Sequence, residues 1–402
     1  MHPDRERASY HSKSVLIVAG EQSGDLHGSN LVREMCALDP GIGFFGIGGD
    51  LMRKAGVRLV AHSSQMAVVG LTEVVTKLGF ILSARRTIKG ILKKTPPDLV
   101  ILIDYPDFNM SLAKFAKNAG IPVFYYISPQ VWAWRRKRIY FLEKYVDRLA
   151  VILPFEAACY EPTGLDVHFV GHPLLDAVRR KYPREEALER FGLHPEKATV
   201  ALLPGSREKE VENLLPSMLC AARIIAEKIP DSQFVLPLAE AISSDLIRSI
   251  MATFPLDITV VKHDTYDAMG ISDAAMVASG TATLEAALLE IPMIIVYKVS
   301  LFSYLMGRIV INVDRIGLVN LIAGKEVVPE FIQGEAEPEK MARELVKIIT
   351  DVERRKVITS GLREVREKLG SAGAAARAAA LACELIRESQ GAGSGVLGRT
   401  RL

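Results

Sequence analysis

The sequence predicts an α/β protein built from two doubly wound parallel sheets in tandem. Three observations carry this. Short β-branched runs recur along the chain and are apolar throughout, the pattern of parallel strands covered on both faces. Amphipathic stretches with helical periodicity lie between them, the signature of repeated βαβ units. The series restarts after Gly171-His172-Pro173, and 402 residues are enough for two domains of ordinary size.

In the first half the predicted strands are Ser14–Val18, Gly43–Ile47, Asp98–Ile103, Val123–Ile127, Arg148–Ile152 and Val167–Val170. The second series comprises Thr199–Leu203, Phe234–Pro237, Ile258–Val261, Ala274–Ala278 and Met293–Val296. The stretch after its first strand places Val211, Leu214, Leu215, Met218, Ala222 and Ile225 on one helical face. An Ala-rich helix from about Ala374 to Glu388 closes the chain, followed by a Gly/Ser-rich tail expected to be disordered. The expected boundaries are 1–172, 173–370 and a C-terminal segment 371–402. Two facing sheets of this kind hold ligands in the cleft at their C-terminal strand ends.

Composition narrows the function. With 49% hydrophobic residues the chain buries real cores, and a net charge of +3 implies no global attraction to nucleic acid. Four scattered cysteines form no C-x-x-C pair, which suits a reducing compartment and argues against a structural zinc site. The polar N-terminus is not a signal peptide, and no apolar run reaches the ~18 residues of a membrane span. A cytoplasmic protein is expected.

Four strand-end turns concentrate the polar chemistry. The first reads Gly20-Glu21-Gln-Ser23-Gly24-Asp25-Leu-His27 and runs into a helix. Ser23 or Asp25 would suffice as a cap, so four polar side chains in one turn point to function. Gly46, Gly48 and Gly49 lack the dinucleotide spacing and follow the wrong strand, which disfavours a nicotinamide enzyme. Asp104-Tyr-Pro-Asp107-Phe-Asn109 follows a third apolar strand. There Asp107 is the expected cap of a helix starting near Asn109, and Asp104 the candidate base, its proton affinity raised by partial burial. In the second half, Leu203-Pro-Gly205-Ser206-Arg207 and Ser279-Gly280-Thr281-Ala-Thr283-Leu-Glu285 each lead from a strand into a helix. Backbone N–H groups, hydroxyls and a guanidinium at helix N-termini make a diphosphate cradle, and Glu285 can accept from ribose hydroxyls. Both tryptophans stand in Ser128-Pro-Gln130-Val-Trp132-Ala-Trp134, directly before four basic residues, a mixture suited to a phosphorylated sugar or an anionic headgroup.

Together with Val167-His-Phe-Val-Gly-His-Pro and Gly317-Leu-Val-Asn320-Leu-Ile-Ala-Gly, these motifs closely resemble the lipid A disaccharide synthases, from about Val15 to Phe331. The resemblance implies a glycosyltransferase B fold. It also implies an inverting transfer from UDP-2,3-diacylglucosamine to 2,3-diacylglucosamine 1-phosphate, giving a β-1,6 disaccharide and UDP. On this reading Asp104 is the leading candidate base, with Glu21, Asp25 and His27 as the alternatives, and Arg207 binds the donor diphosphate. Gly205, Ser206, Ser279, Gly280, Thr281, Thr283, Glu285 and Asn320 complete the donor site. Glu21, Ser23, Gly24, Asp25, His27, Ser128, Gln130 and Trp132 face the acceptor. No Asp-x-Asp pair occurs, so no metal and no cofactor are expected. A homodimer is left open.

Acylated substrates call for peripheral contact with the cytoplasmic face of the inner membrane. Val74–Lys94 and Lys298–Val310, each apolar with basic residues, are the candidate segments, though either can equally be core. The competing readings are another UDP-sugar enzyme such as an epimerase, a non-catalytic nucleotide-sugar or lipid binder, and, more remotely, a dehydrogenase.

Overall fold

The computed structural model describes residues 12–66, 71–132, 136–298 and 315–396. Two compact units emerge. One comprises residues 1–173 with 371–402, the other residues 174–370.

The first unit holds β1 (Lys13–Ala19), β2 (Ile42–Gly48), β3 (Arg58–His62), β4 (Leu99–Ile103), β5 (Val123–Tyr126), β6 (Arg148–Val151) and β7 (Asp166–Phe169). They pair in the order β3-β2-β1-β4-β5-β6-β7, with every pairing parallel. The second unit holds β8 (Ala198–Leu203), β9 (Ser232–Leu238), β10 (Ile258–Lys262), β11 (Ala274–Ala278), β12 (Met293–Tyr297) and β13 (Glu330–Ile332). Their order is β10-β9-β8-β11-β12-β13, again all parallel. In each sheet the winding direction reverses beside the first strand, between β1 and β4 and between β8 and β11. Such reversal points leave a crevice at the C-terminal strand ends, where ligands of this architecture bind.

The central strands are apolar because both faces are covered. Every residue of β4 is buried, and the periodic face of the Glu208–Lys228 helix is buried from Val211 to Ile225. Two strands are additional to those read from the sequence, β3 and β13, and both are sheet edges. Their residues are half-buried or exposed, so short edge strands with polar side chains carry no continuous apolar run.

The closing helix spans Ala374–Val396, beyond the end read near Glu388, and takes in the start of the Gly/Ser-rich tail. Its Ala378, Ala379, Ala382 and Ile386 join the core of the first unit, packing against the helix Gln22–Leu38 and β5. Arg148 of β6 pins it. This buried guanidinium pairs with Asp166 at 2.5 Å and with Glu384 and Glu388 at 3.2 Å, and donates to the Leu381 carbonyl.

The helix Leu71–Lys94 buries Ala84, Ile88 and Leu92 in the core of the first sheet, with Phe80, Ile81 and Ile91 packed against it. Much of its apolar face is therefore occupied by core. The segment Lys298–Val310 lies, beyond Lys298, outside the described residues, as do Trp134 and Arg135. No helix among the described residues is long and apolar enough to cross a membrane.

Candidate active site

In the first unit, the turn after β1 and the turn after β4 flank the reversal point. Gly20 directly follows β1 and lies against the Tyr105 ring. A Cβ at Gly20 would stand 2.4 Å from that ring, so only glycine permits the approach. Tyr105 is fixed at its other end by donating its hydroxyl to the Met66 carbonyl at 3.2 Å.

Asp104 follows β4 in a left-handed conformation, φ 44°, and Tyr105 repeats it at φ 47°. Burial raises the Asp104 carboxyl to about 6, helped by the nearby Glu21 charge and opposed by the Tyr105 backbone N–H. The helix begins at Pro106 rather than near Asn109, and its N-cap is Tyr105 without a side-chain bond. Asp107 thus does not cap the helix. It is exposed in the first turn and forms an ion pair with Arg138, which takes one cation of the basic run out of general solvent service.

The polar residues after β1 divide. Glu21 and Ser23 are exposed, and neither Ser23 nor Asp25 caps its own helix. Asp25 is buried and caps the next helix, Asp50–Lys54, accepting from Gly49 N at 2.7 Å and from Leu51 N and Met52 N at 3.0 Å. Both carboxylate oxygens are spent there, so its role in this structure is capping. Buried Gly24 packs on Ala19. His27 lies edge-on to Tyr126 at 6.5 Å, and burial lowers it to about 4. His172, from the Gly-His-Pro motif, is lowered to about 4 by burial and by His27. Both imidazoles are neutral at pH 7, and Asp104 is the better matched to proton transfer there.

Ser128 is buried and bonded to the Pro129 carbonyl at 2.8 Å and the Tyr160 hydroxyl at 2.6 Å, so it braces its loop. Gln130 is exposed on that loop. Trp132 is half-buried, edge-on to Phe155 at 5.3 Å. Its indole N–H falls short of regular hydrogen-bond geometry but faces Glu156. Glu156 went unnoticed in the sequence because it stands in a short helix with no motif around it. Only 2% exposed, it accepts from Leu153 N at 2.9 Å and Ile152 N at 3.1 Å, and burial raises it to about 7.

In the second unit, the turns after β8 and β11 open into one cavity of about 610 Å³. Gly205, Ser206, Arg207, Ser279, Gly280, Thr281 and Glu285 all line it. Gly205 has φ +119°, a conformation reserved for glycine. Glu210 currently engages the cradle, accepting from Ser206 N at 3.3 Å and Arg207 at 2.7 Å. Glu285 accepts from the Tyr266 hydroxyl at 3.0 Å, and burial raises its carboxyl above the usual range. Tyr266, Arg179, Lys181 and His263 also line the cavity and were not singled out from the sequence, having come from other turns.

Two predicted donor residues stand elsewhere. Thr283 is fully buried and donates to the Gly280 carbonyl, bracing the turn from behind. Asn320 is 1% exposed and fully engaged. Its Oδ1 accepts from Val327 N and Val328 N, and its Nδ2 donates to the Val328 carbonyl and Glu330. Glu330 in turn accepts from Ile316 N and Gly317 N. Asn320 therefore shapes the loop beside β13 and is not among the cavity's lining residues.

A family model described as lipid-A-disaccharide synthetase matches residues 15–383. The chain belongs to the lipid-A-disaccharide synthase family. A lipid-A-disaccharide synthase from Syntrophus aciditrophicus is 55% identical over 379 residues, covering 94% of this chain and 99% of that protein. The fold agrees. The UDP-GlcNAc 2-epimerase of Neisseria meningitidis superposes with TM-score 0.60 at 13% identity, over 93% of this chain and 100% of that one. The calicheamicin glycosyltransferase CalG4 gives 0.58 at 15%, over 97% and 99%. At such identities the likeness establishes the glycosyltransferase B fold and not the reaction, since epimerases share it. The family match separates them, and makes this chain a glycosyltransferase of lipid A biosynthesis.

Proposed function

We propose that this member of the lipid-A-disaccharide synthase family transfers the sugar of UDP-2,3-diacylglucosamine to 2,3-diacylglucosamine 1-phosphate with inversion. The observation that carries the mechanism is Asp104. It is a half-buried carboxyl at a strand's C-terminal end, ionised at pH 7 yet with enough proton affinity to act as a base. It takes the proton of the acceptor's 6-hydroxyl as that oxygen forms its bond to the donor's anomeric carbon. The bond from that carbon to the diphosphate breaks, and UDP departs in a single displacement.

The second unit's cavity holds the nucleotide. Arg207, the N–H groups at the N-terminus of Thr281–Leu288 and the Ser206 N–H stabilise the departing diphosphate, while Glu285, oriented by Tyr266, accepts from the ribose. These cationic and dipolar groups support a metal-independent reaction. The first unit takes the acceptor and lies at the inner-membrane surface as a peripheral protein.

The test is UDP release from the donor in detergent with EDTA, with and without the acylated acceptor. Acceptor-dependent release that survives the chelator is expected. Release without acceptor would indicate an epimerase or hydrolase, and no release would favour a binding protein. Sedimentation with anionic liposomes at low salt tests the peripheral association, and its absence would remove that part of the proposal.

A further inference from the structure

We infer that Asn109 and Tyr125 are positioning residues, which together clamp the strained turn that aims Asp104. The inference rests on the reading of Asp104 as the base.

β4 ends at Ile103, and the next two residues, neither of them glycine, are both left-handed. Each such conformation is strained and persists only where its surroundings impose it. What imposes it here is the peptide between Asp104 and Tyr105. The Asp104 carbonyl accepts from the Tyr125 hydroxyl at 2.7 Å and from Asn109 Nδ2 at 2.7 Å. Both lone pairs of that oxygen are therefore taken, which fixes the peptide plane and with it ψ of Asp104 and φ of Tyr105. Asn109 Nδ2 also donates to the Ile103 carbonyl at 3.1 Å, and the Asp104 N–H donates to the Tyr126 carbonyl at 3.2 Å. The turn is thus held before, at and after Asp104.

Tyr125 and Asn109 are both fully buried. Since both partners of Nδ2 are carbonyls, the amide orientation is determined by its surroundings. That leaves Asn109 Oδ1 buried without a partner among the described residues, which costs stability. A residue kept for packing alone would be apolar. A strained turn and an orphaned amide oxygen at one spot mean stability given up to hold one conformation, as expected where a reacting group must be aimed. If φ of Asp104 relaxed to negative values, its Cα–Cβ bond would swing away from its present direction and the carboxyl would gain water.

The experiment compares Tyr125→Phe and Asn109→Ala with Asp104→Asn in the full-length protein, measuring kcat, donor KM, the pH profile of kcat and thermal stability. Tyr125→Phe keeps the ring that fills the core and removes one clamp bond, so it remains informative if Asn109→Ala does not fold. The expected result is a kcat loss of about tenfold to a hundredfold. Donor KM should stay within about twofold, as the nucleotide cavity is not touched. The acid limb of the profile should move to lower pH. Unchanged kcat in folded Tyr125→Phe, or a loss with the acid limb unmoved, would overturn the inference. If Asp104→Asn is inactive while Tyr125→Phe is unaffected, only the clamp fails. Full turnover by Asp104→Asn would instead remove the base reading, and the clamp with it.

Discussion

The acid limb of turnover is where the proposed chemistry is most exposed to measurement. With the Asp104 carboxyl raised to about 6, the base is about nine-tenths ionised at pH 7, and turnover should fall tenfold per pH unit well below 6. Two causes raise it, burial first and the Glu21 charge second, and the second can be removed alone. Glu21 is exposed, so its interaction is screened by water. Such a pair is worth at most about 1 kcal/mol, or about 0.7 pH unit. Glu21→Gln should therefore move the limb of kcat down by no more than about 0.7 unit. It should leave kcat above pH 7 nearly unchanged. Asp104→Asn should abolish the limb and lower kcat by about 10²–10⁴. The assay is acceptor-dependent UDP release between pH 4.5 and 8.5 at saturating substrates. A wild-type limb near 4 would match His27 or His172 instead, and a limb that moves upward, or downward by much more than about 0.7 unit, in Glu21→Gln would contradict a screened Glu21–Asp104 interaction.

Other expectations follow from the same geometry. Glu285→Gln should raise the Kd for UDP about tenfold and Tyr266→Phe about threefold, read by calorimetry; equal binding of Glu285→Gln and wild type would take Glu285 out of the nucleotide site. Glu210→Gln should tighten UDP about two- to fivefold, because an exposed pair worth under about 1 kcal/mol no longer competes for Arg207 and the Ser206 N–H. Weaker binding would mean that Glu210 helps hold the cradle open. Arg148→Ala should lower stability by about 2–3 kcal/mol and loosen the Ala374–Val396 helix, detectable as faster amide exchange there. Glu156 is raised when folded, so the unfolded chain binds fewer protons between pH 4.5 and about 7. Its contribution to stability is thus full below 4.5 and is lost as pH rises through 7, by about 3 kcal/mol at most. Glu156→Gln should flatten that slope in thermal melts, and an unchanged slope would contradict its burial as a carboxyl.

The peripheral-membrane reading now rests on fewer residues than the sequence suggested. Ile88 and Leu92, counted towards an interfacial face, are core, because a helix crossing back over a parallel sheet must cover it. Amphipathicity alone does not say whether the apolar stripe meets a sheet or a lipid surface.

Much of the molecule was determined by the sequence itself. The central strands are legible because burial on both faces demands unbroken apolar runs, and the turns at Glu21, Asp104, Gly205 and Ser279 because polar clusters directly after such runs have few other uses. Those turns fall beside the reversal points of their sheets, which follows from strand order and needs no side-chain detail. The edge strands Arg58–His62 and Glu330–Ile332 were not legible, since exposure on one side removes the pattern. Nor does a motif say what its polar atoms bond to. Only the tertiary structure decided that Asp25 caps a neighbouring helix, that Asn320 ties down the loop at Val327, and that Glu156 sits behind Trp132. The physical reason is the same in each case. A hydrogen bond is satisfied by whatever partner lies within about 3 Å, and for groups far apart in the chain that neighbour is set by packing, which local sequence does not record.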